Sequence, residues 1–171
     1  KQCSVTSDQC SVVIITGDRD LMQLVNDRVT LYMPVKGVTD AVVIDREKVK
    51  ERLGVWPEQV IDYKALVGDG SDNYPGVAGI GPKTAVNLLA EHGTFEEVVK
   101  KSGNSKVVAG YEGGELSKRL ATIKTDVPIS FDIAQCLIPN AQKITEVLRE
   151  LGYKSLLKRV ETKVKQEGLF D

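Results

Sequence analysis

The chain has 171 residues, 42% apolar and 27% charged, which is typical of a folded globular protein and excludes a disordered one. Its net charge of −1 argues against a uniformly basic nucleic-acid-binding protein, and no apolar run is long enough for a membrane span. Cysteines at 3, 10 and 136 fit neither a disulfide framework nor a zinc site, so we expect a protein of the reducing cytoplasm.

The first part of the chain predicts strands mixed with helices. The β-branched run at residues 11–16 lacks polar alternation, which is typical of a strand buried on both faces of a parallel sheet. Such a strand needs neighbours, so we expect either helices that cover it tightly or a missing N-terminal portion. The other predicted elements are a helix from Leu21, strands at 29–35 and 41–44 about a turn at Lys36 and Gly37, and a helix from the N-cap Asp45 to Leu53, ended by Gly54.

The second part predicts helices and loops. We expect it to begin after residue 65, so that residues 1–65 form a partial α/β core and residues 66–171 a helical region. This region contains a helix-hairpin-helix at about 68–101, and its last helices are expected to pack back on the core. The predicted elements are helices at 57–67, 82–92, 94–101, 116–125, 145–151 and 155–164, a glycine-rich structured loop at 68–81, a mobile loop at 102–115 and an extended segment at 127–131.

Two pairs of aspartates lie in loops that follow predicted elements. Asp18 and Asp20 follow the first strand, where ligand sites of open α/β sheets lie, and Asp69 and Asp72 lie among glycines. Each pair has an ordinary alternative, since Asp20 can cap the next helix and the second pair can form an Asx-turn cluster. If the pairs meet, their mutual repulsion requires a cation, as in the two-metal sites that catalyse phosphoryl displacement.

A glycine hairpin precedes the predicted helix at 82–92. Gly79 and Gly81 bring backbone N–H groups close to a bound group, and the N-terminus of the helix favours an anion at the same place. Lys83 adds a cation and Thr84 a hydroxyl. This helix-hairpin-helix signature predicts binding to a nucleic-acid backbone without base specificity, and the alternative is a plain helix-turn-helix corner.

These motifs together resemble the 5′-nuclease (flap endonuclease) family, and most of all the 5′→3′ exonuclease domain of bacterial DNA polymerase I. The resemblance implies a PIN-like parallel-sheet domain, of which this chain is the C-terminal part, followed by an all-helical helix-3-turn-helix region that binds DNA. The stretches that carry it are residues 17–24, 65–73, 75–85 and 156–159.

The resemblance also implies a site and a function. Asp18, Asp20, Asp69 and Asp72 would be catalytic ligands of Mg²⁺ or Mn²⁺, two ions per complete site, and the backbone of 77–80 would hold K⁺. The hairpin residues Gly79, Gly81, Lys83 and Thr84 would bind DNA that has 5′ ends or flaps, in replication and repair. The resemblance further implies that the protein is a monomer in the bacterial cytoplasm, associated with the nucleoid. It also implies that the full-length protein carries a fused polymerase region.

The sequence departs from the family pattern at its start. The family's first-strand aspartate, basic arch and acidic motif would lie before Lys1, and residues 168–171 resemble a domain end. We therefore expect this chain alone to lack a complete metal site. Two other hypotheses remain open, namely a DNA-binding helix-hairpin-helix module without catalysis and a scaffold for protein partners.

Overall fold

The computed structural model describes residues 11–35, 40–130, 132, 136 and 140–167. The chain forms two compact units, one that ends at Val127 and one that begins at Pro128, and each is described by itself. The predictions for residues 1–10, the turn at Lys36 and Gly37, and residues 168–171 lie outside the described residues. In the described part, none of the helices combines the length and apolar character that a membrane crossing requires.

A mixed three-stranded sheet lies at the start of the first unit. Strand β1 (Val12–Ile15) pairs in parallel with β2 (Val29–Pro34), which pairs antiparallel with β3 (Ala41–Ile44). Leu31 lies opposite Ile44 in the register, and both side chains are fully buried in the core. The predicted strands and the predicted α/β fold class are confirmed.

Strand β1 is less buried than the sequence predicts. Val12, Val13 and Ile15 are 44%, 58% and 68% exposed, and only Ile14 of this strand packs against the core. The prediction of a strand buried on both faces is therefore wrong for the described structure. The reason is that strand side chains point to the two faces of the sheet, and at β1 the described elements cover only the side of Ile14.

Local signals set the ends of the next helices. Helix α1 (Arg46–Leu53) begins where the Asp45 carboxylate accepts the Lys48 N–H at 2.8 Å, and it ends at Gly54, whose φ of 77° is left-handed. A short 3₁₀ helix (Pro57–Gln59) leads into α2 (Val60–Val67). Both boundaries of α1 agree with the prediction from the sequence.

Helix α2 is the centre of the first unit. Val60, Ala65 and Leu66 are fully buried, because α2 packs against the helices that follow it. Those helices are α3 (Pro82–His92), α4 (Phe95–Lys101) and α6 (Tyr111–Ala121), and the short α5 (Ser105–Ala109) packs against α4. Apolar side chains of the sheet and of α1 to α5 complete one continuous core.

The segment predicted as a mobile loop at 102–115 is helical at residues 105–109 and from residue 111 onward. Asn104 caps α5, and α6 begins at Tyr111 and ends at Ala121, whereas the prediction placed this helix at 116–125. Its glycines serve close packing: a Cβ on Gly114 would lie 2.5 Å from the Phe95 ring, and a Cβ on Gly113 would lie 2.7 Å from the Gly76 carbonyl oxygen. The loop prediction is wrong because these glycines permit contact between elements rather than mark a turn.

Buried polar contacts join α2 to α4 and α6. The Asp62 carboxylate accepts the Phe95 N–H at 3.1 Å and the Lys118 ammonium at 2.8 Å, and Lys118 also contacts Glu96 at 2.6 Å. The Ser117 hydroxyl accepts the Gly76 N–H at 2.8 Å. These bonds tie α6 to α2, to α4 and to the glycine-rich loop before α3.

The second unit contains a helical hairpin. Helix α7 (Ala141–Glu150) begins at the cap Asn140, and helix α8 (Lys154–Glu167) follows a turn through Gly152, whose φ is 72°. The predicted helices at 145–151 and 155–164 are thus present, with earlier starts. The division at residue 65 and the packing of these helices on the core stay predictions.

Candidate metal site and nucleic-acid interface

Three of the four predicted carboxylates meet in space. Oxygen atoms of Asp20, Asp69 and Asp72 lie within 4.8 Å of one another. Asp20 belongs to a 3₁₀ helix (Arg19–Leu24) after β1, whereas Asp69 and Asp72 lie in the loop after α2. The fold therefore joins two segments that are distant in the sequence, and whether they meet could not be derived from their spacing.

Asp18, the fourth predicted carboxylate, has another local role. Its Oδ1 accepts the Asp20 N–H at 2.8 Å, so Asp18 is the N-cap of the 3₁₀ helix. The alternative in which Asp20 caps a helix that begins at Leu21 is wrong. Asp18 lines an open cleft of about 450 Å³ together with Lys64, Asp69 and Asp72, but it is not one of the three clustered carboxylates.

The loop after α2 holds Asp69 firmly. The backbone of Asp69 exchanges hydrogen bonds with Tyr74 at 3.0 and 3.1 Å. Asp69 Oδ1 accepts the N–H of Ser71 at 2.9 Å and its hydroxyl at 2.5 Å. The Asx-turn geometry offered as an alternative is thus present, and it orients the same carboxylate that joins the cluster.

Lys64 is a site residue that sequence reasoning missed. Its ammonium contacts the Asp20 carboxylate and lies 2.8 Å from Asp69 Oδ2, and the residue is 5% exposed. The sequence does contain a signal for this residue. Lys64 lies on α2 one turn after Val60, so it is a lysine on the apolar face of the helix. A buried charge of this kind requires partners, and Asp20 and Asp69 supply them.

The electrostatics of the cluster follow from these contacts. Hydrogen bonds from Lys64 and Ser71 hold the pKa of Asp69 well below its ordinary value. Burial, with a contribution from nearby carboxylates including Asp69, raises the pKa of Tyr74 to about 12. The Tyr74 hydroxyl is buried and has no hydrogen-bond partner among the described residues. At neutral pH the site therefore presents ionised Asp69 beside a neutral phenol.

The donor set fits a hard divalent cation. Carboxylate oxygens are the ligands that Mg²⁺ and Mn²⁺ prefer, and the distances between those of Asp20, Asp69 and Asp72 allow one ion to contact all three. Repulsion among these clustered charges favours such an ion. The specific identity of the metal and the role of each ligand stay predictions.

The glycine hairpin is built as the sequence indicates. Val77 and Ile80 are buried and anchor it, Gly79 has a φ of 77°, and Gly81 is the N-cap of α3 without a side-chain capping bond. The first N–H groups of α3 therefore have no side-chain cap, and the adjacent Lys83 and Thr84 are exposed. This arrangement is able to bind an anionic backbone.

A lysine on another element extends the hairpin. The Lys106 ammonium of α5 lies 3.5 Å from the Gly79 carbonyl oxygen, and sequence reasoning did not select it. The Val77 carbonyl oxygen accepts the Ile80 N–H at 3.1 Å within the hairpin. The K⁺ site that the resemblance implies at 77–80 stays a prediction.

Comparisons with known proteins agree with this geometry. The family model described as 5′-3′ exonuclease, C-terminal SAM fold, matches residues 55–165. The chain is 44% identical to DNA polymerase I of Caldicellulosiruptor bescii, over 87% of this chain and 19% of that protein. It is 35% identical to the 5′-3′ exonuclease of Bacillus subtilis, over 91% of this chain and 55% of that protein.

A solved structure is also similar. T5 5′-exonuclease with bound divalent metal ions (zinc) superposes with a TM-score of 0.56 and 26% identity, over 65% of this chain and 42% of that chain. The chain therefore belongs to the 5′-3′ exonuclease family, as its motifs predict. It spans about a fifth to about half of the length of these curated relatives.

Proposed function

We propose that this chain is the metal- and DNA-binding part of a structure-specific 5′-nuclease, which hydrolyses DNA phosphodiesters at 5′ ends or flaps. The observation that carries the proposal is the meeting of Asp20, Asp69 and Asp72 within 4.8 Å of one another, with Asp69 and Asp72 lining an open cleft together with Lys64. Membership of the 5′-3′ exonuclease family supports it, and so does the metal reported for T5 5′-exonuclease.

Each group of residues has a distinct task in the proposed reaction. Asp20, Asp69 and Asp72 hold Mg²⁺ or Mn²⁺, and Asp18 orients the segment that carries Asp20. The bound metal supplies Lewis acidity and activation of water for phosphoryl transfer. The hairpin around Gly79 and Gly81 binds the DNA backbone and fixes the scissile bond relative to the cleft, and positioning contributes much of the rate of such reactions.

The wider setting follows from the relatives. We propose a role in DNA replication and repair, in the bacterial cytoplasm, for a protein that acts as a monomer. The matches to proteins named DNA polymerase I support the further proposal that a polymerase region belongs to the complete protein.

DNA binding is tested with a 5′-flap duplex that carries a fluorescent label. Lys83→Glu should weaken the binding of DNA by the 171-residue chain at low salt. It should also lower the number of counter-ions released on binding, measured as the slope of log affinity against log salt concentration, by about one. Lys124→Glu is the matched control, since Lys124 is exposed but lies outside the hairpin. Equal affinity of the two variants would contradict the role of the hairpin.

Cleavage is tested in a chimera, because the chain spans only part of its relatives. The chain replaces the matching segment of the Bacillus subtilis 5′-3′ exonuclease, and the flap duplex is incubated with Mg²⁺ or Mn²⁺. We expect cleavage by the chimera and none by its Asp69→Asn, Asp72→Asn version. A folded chimera that binds the flap without cleaving it would favour the non-catalytic DNA-binding module instead.

A further inference from the structure

A lysine ammonium lies between two of the three clustered carboxylates. Lys64 Nζ contacts the carboxylates of Asp20 and Asp69, and these residues are 44 and 5 positions away in the sequence. The Lys64 side chain is only 7% exposed. Solvent therefore screens these interactions little, and the ammonium links the two segments that form the site.

The hydrogen bonds of Asp69 show why this lysine matters for a metal. Asp69 Oδ1 already accepts two hydrogen bonds from Ser71, which fill its lone pairs. Asp69 Oδ2 accepts the Lys64 ammonium at 2.8 Å. A metal ion that coordinates Asp69 must therefore share Oδ2 with a positive charge or displace it.

The charge balance of the cluster leads to the same result. Asp20, Asp69 and Asp72 bring three carboxylates within 4.8 Å, and a single ammonium offsets one of them. The cluster stays attractive to a divalent cation, yet the cation meets repulsion from Lys64 at short range. Lys64 thus lowers the repulsion among the carboxylates without metal and raises the free energy of the metal-bound form.

We propose that Lys64 is a built-in counter-ion of the carboxylate cluster, which keeps the site assembled without metal and opposes the binding of the divalent ion. The inference rests on the proposed function, because it takes the cluster to be a metal site. It makes Lys64 a positioning residue that sets metal affinity, in addition to the carboxylates that bind the ion.

The test measures Mn²⁺ binding to the 171-residue chain by isothermal titration calorimetry. Lys64→Met keeps the length and the apolar stem and removes the charge, so we expect Mn²⁺ to bind about tenfold more tightly. Lys64→Arg keeps the charge and should bind Mn²⁺ as the wild type does. Lys118→Met is the matched control, because Lys118 also pairs with two carboxylates, Asp62 and Glu96, which are outside the cluster.

Thermal unfolding without metal gives a second readout. Lys64→Met should unfold at a lower temperature than the wild type in EDTA, and Mn²⁺ should raise its unfolding temperature by more. Lys118→Met should lose stability as well, with unchanged Mn²⁺ affinity. If Lys64→Met does not fold by circular dichroism, Lys64→Gln takes its place in both measurements.

The outcomes separate this inference from the proposed function. In one outcome, the wild type binds Mn²⁺, the Asp69→Asn, Asp72→Asn variant does not, and Lys64→Met binds Mn²⁺ as the wild type does or more weakly. This outcome would overturn the role of Lys64 and leave the metal site intact. Absence of Mn²⁺ binding to the wild type and to Lys64→Met alike would overturn both.

Discussion

At the scale of single residues, Asp69 shows how neighbours set the properties of a carboxylate. It accepts hydrogen bonds from Ser71 on one oxygen and from the Lys64 ammonium on the other. These bonds stabilise the ionised form, so the pKa of Asp69 lies well below its ordinary value in the folded protein. A lowered pKa in the folded state links the stability of the fold to pH.

The pH dependence of stability should reflect this carboxylate. The unfolded chain takes up a proton on Asp69 at a higher pH than the folded protein does, so the stabilisation is complete above the ordinary pKa and is lost as the pH falls through the lowered one. We expect the free energy of unfolding of the wild type to decrease between about pH 5 and about pH 2, and that of Asp69→Asn to decrease less. Urea unfolding followed by circular dichroism at each pH measures both.

A matched carboxylate outside the site gives the control. The pKa of Glu97 is also lowered, by Lys101 on the exposed face of α4, but solvent screens such a pair. Glu97→Gln should therefore follow the wild-type pH profile closely. Identical profiles for Asp69→Asn and the wild type would contradict the assigned role of Asp69.

At the scale of elements, helix α6 depends on glycines that touch its neighbours. Gly114 lies against the Phe95 ring and against the side chain of Val77. Glycine weakens an isolated helix, yet here it allows α6 to approach α4 and the loop before α3. The contacts of the element, rather than its helix propensity, therefore stabilise α6.

Gly114→Ala tests this packing. The added Cβ would lie 2.5 Å from Phe95 Cζ, so the core must shift, at a cost of about 1–3 kcal/mol in the free energy of unfolding. Gly70→Ala is the control, because a Cβ at Gly70 meets no atom within 4 Å, and it should change stability by less than about 0.5 kcal/mol. Urea denaturation at neutral pH measures both variants, and equal stability of the two would show that α6 does not pack as described.

At the scale of the whole molecule, the chain divides near residue 128. Residues 122–130 contain no helix or strand, and the side chain of Lys124 in this segment is 72% exposed. Exposed backbone between compact units is the preferred site of proteolysis. The organisation into units therefore predicts where the chain is first cut.

Limited trypsin digestion should cleave first after Lys124. The expected products are two fragments that meet at Lys124, identified by mass spectrometry at short times and low protease. Lys124→Gln should slow the first cut, whereas the buried Lys64 should be protected in the folded protein. Early cleavage after Lys64 would contradict the described fold.

Some features of this protein were determined by the sequence itself. Asp45 and Gly54 bound α1, and Gly81 with Pro82 begins α3, because capping and turn chemistry depend on a few adjacent residues. The motifs around Asp69 and Gly79 also indicate the 5′-3′ exonuclease family, to which the chain belongs. Helix caps, turns and family motifs can be predicted from the sequence because each involves residues that are close together in the chain.

Other features were decided by the tertiary structure. The fold decides which segments meet, and it therefore brings Asp20 to Asp69 and Asp72 and places Lys64 between Asp20 and Asp69. The helical fold of the glycine-rich segment before Ser117 depends on tertiary contacts in the same way. The exposure of the β1 side chains likewise depends on which elements cover the two faces of the sheet. The physical reason is that burial, ion pairing and close backbone contact are properties of residues distant in the chain, so their free energies appear only when the fold joins them.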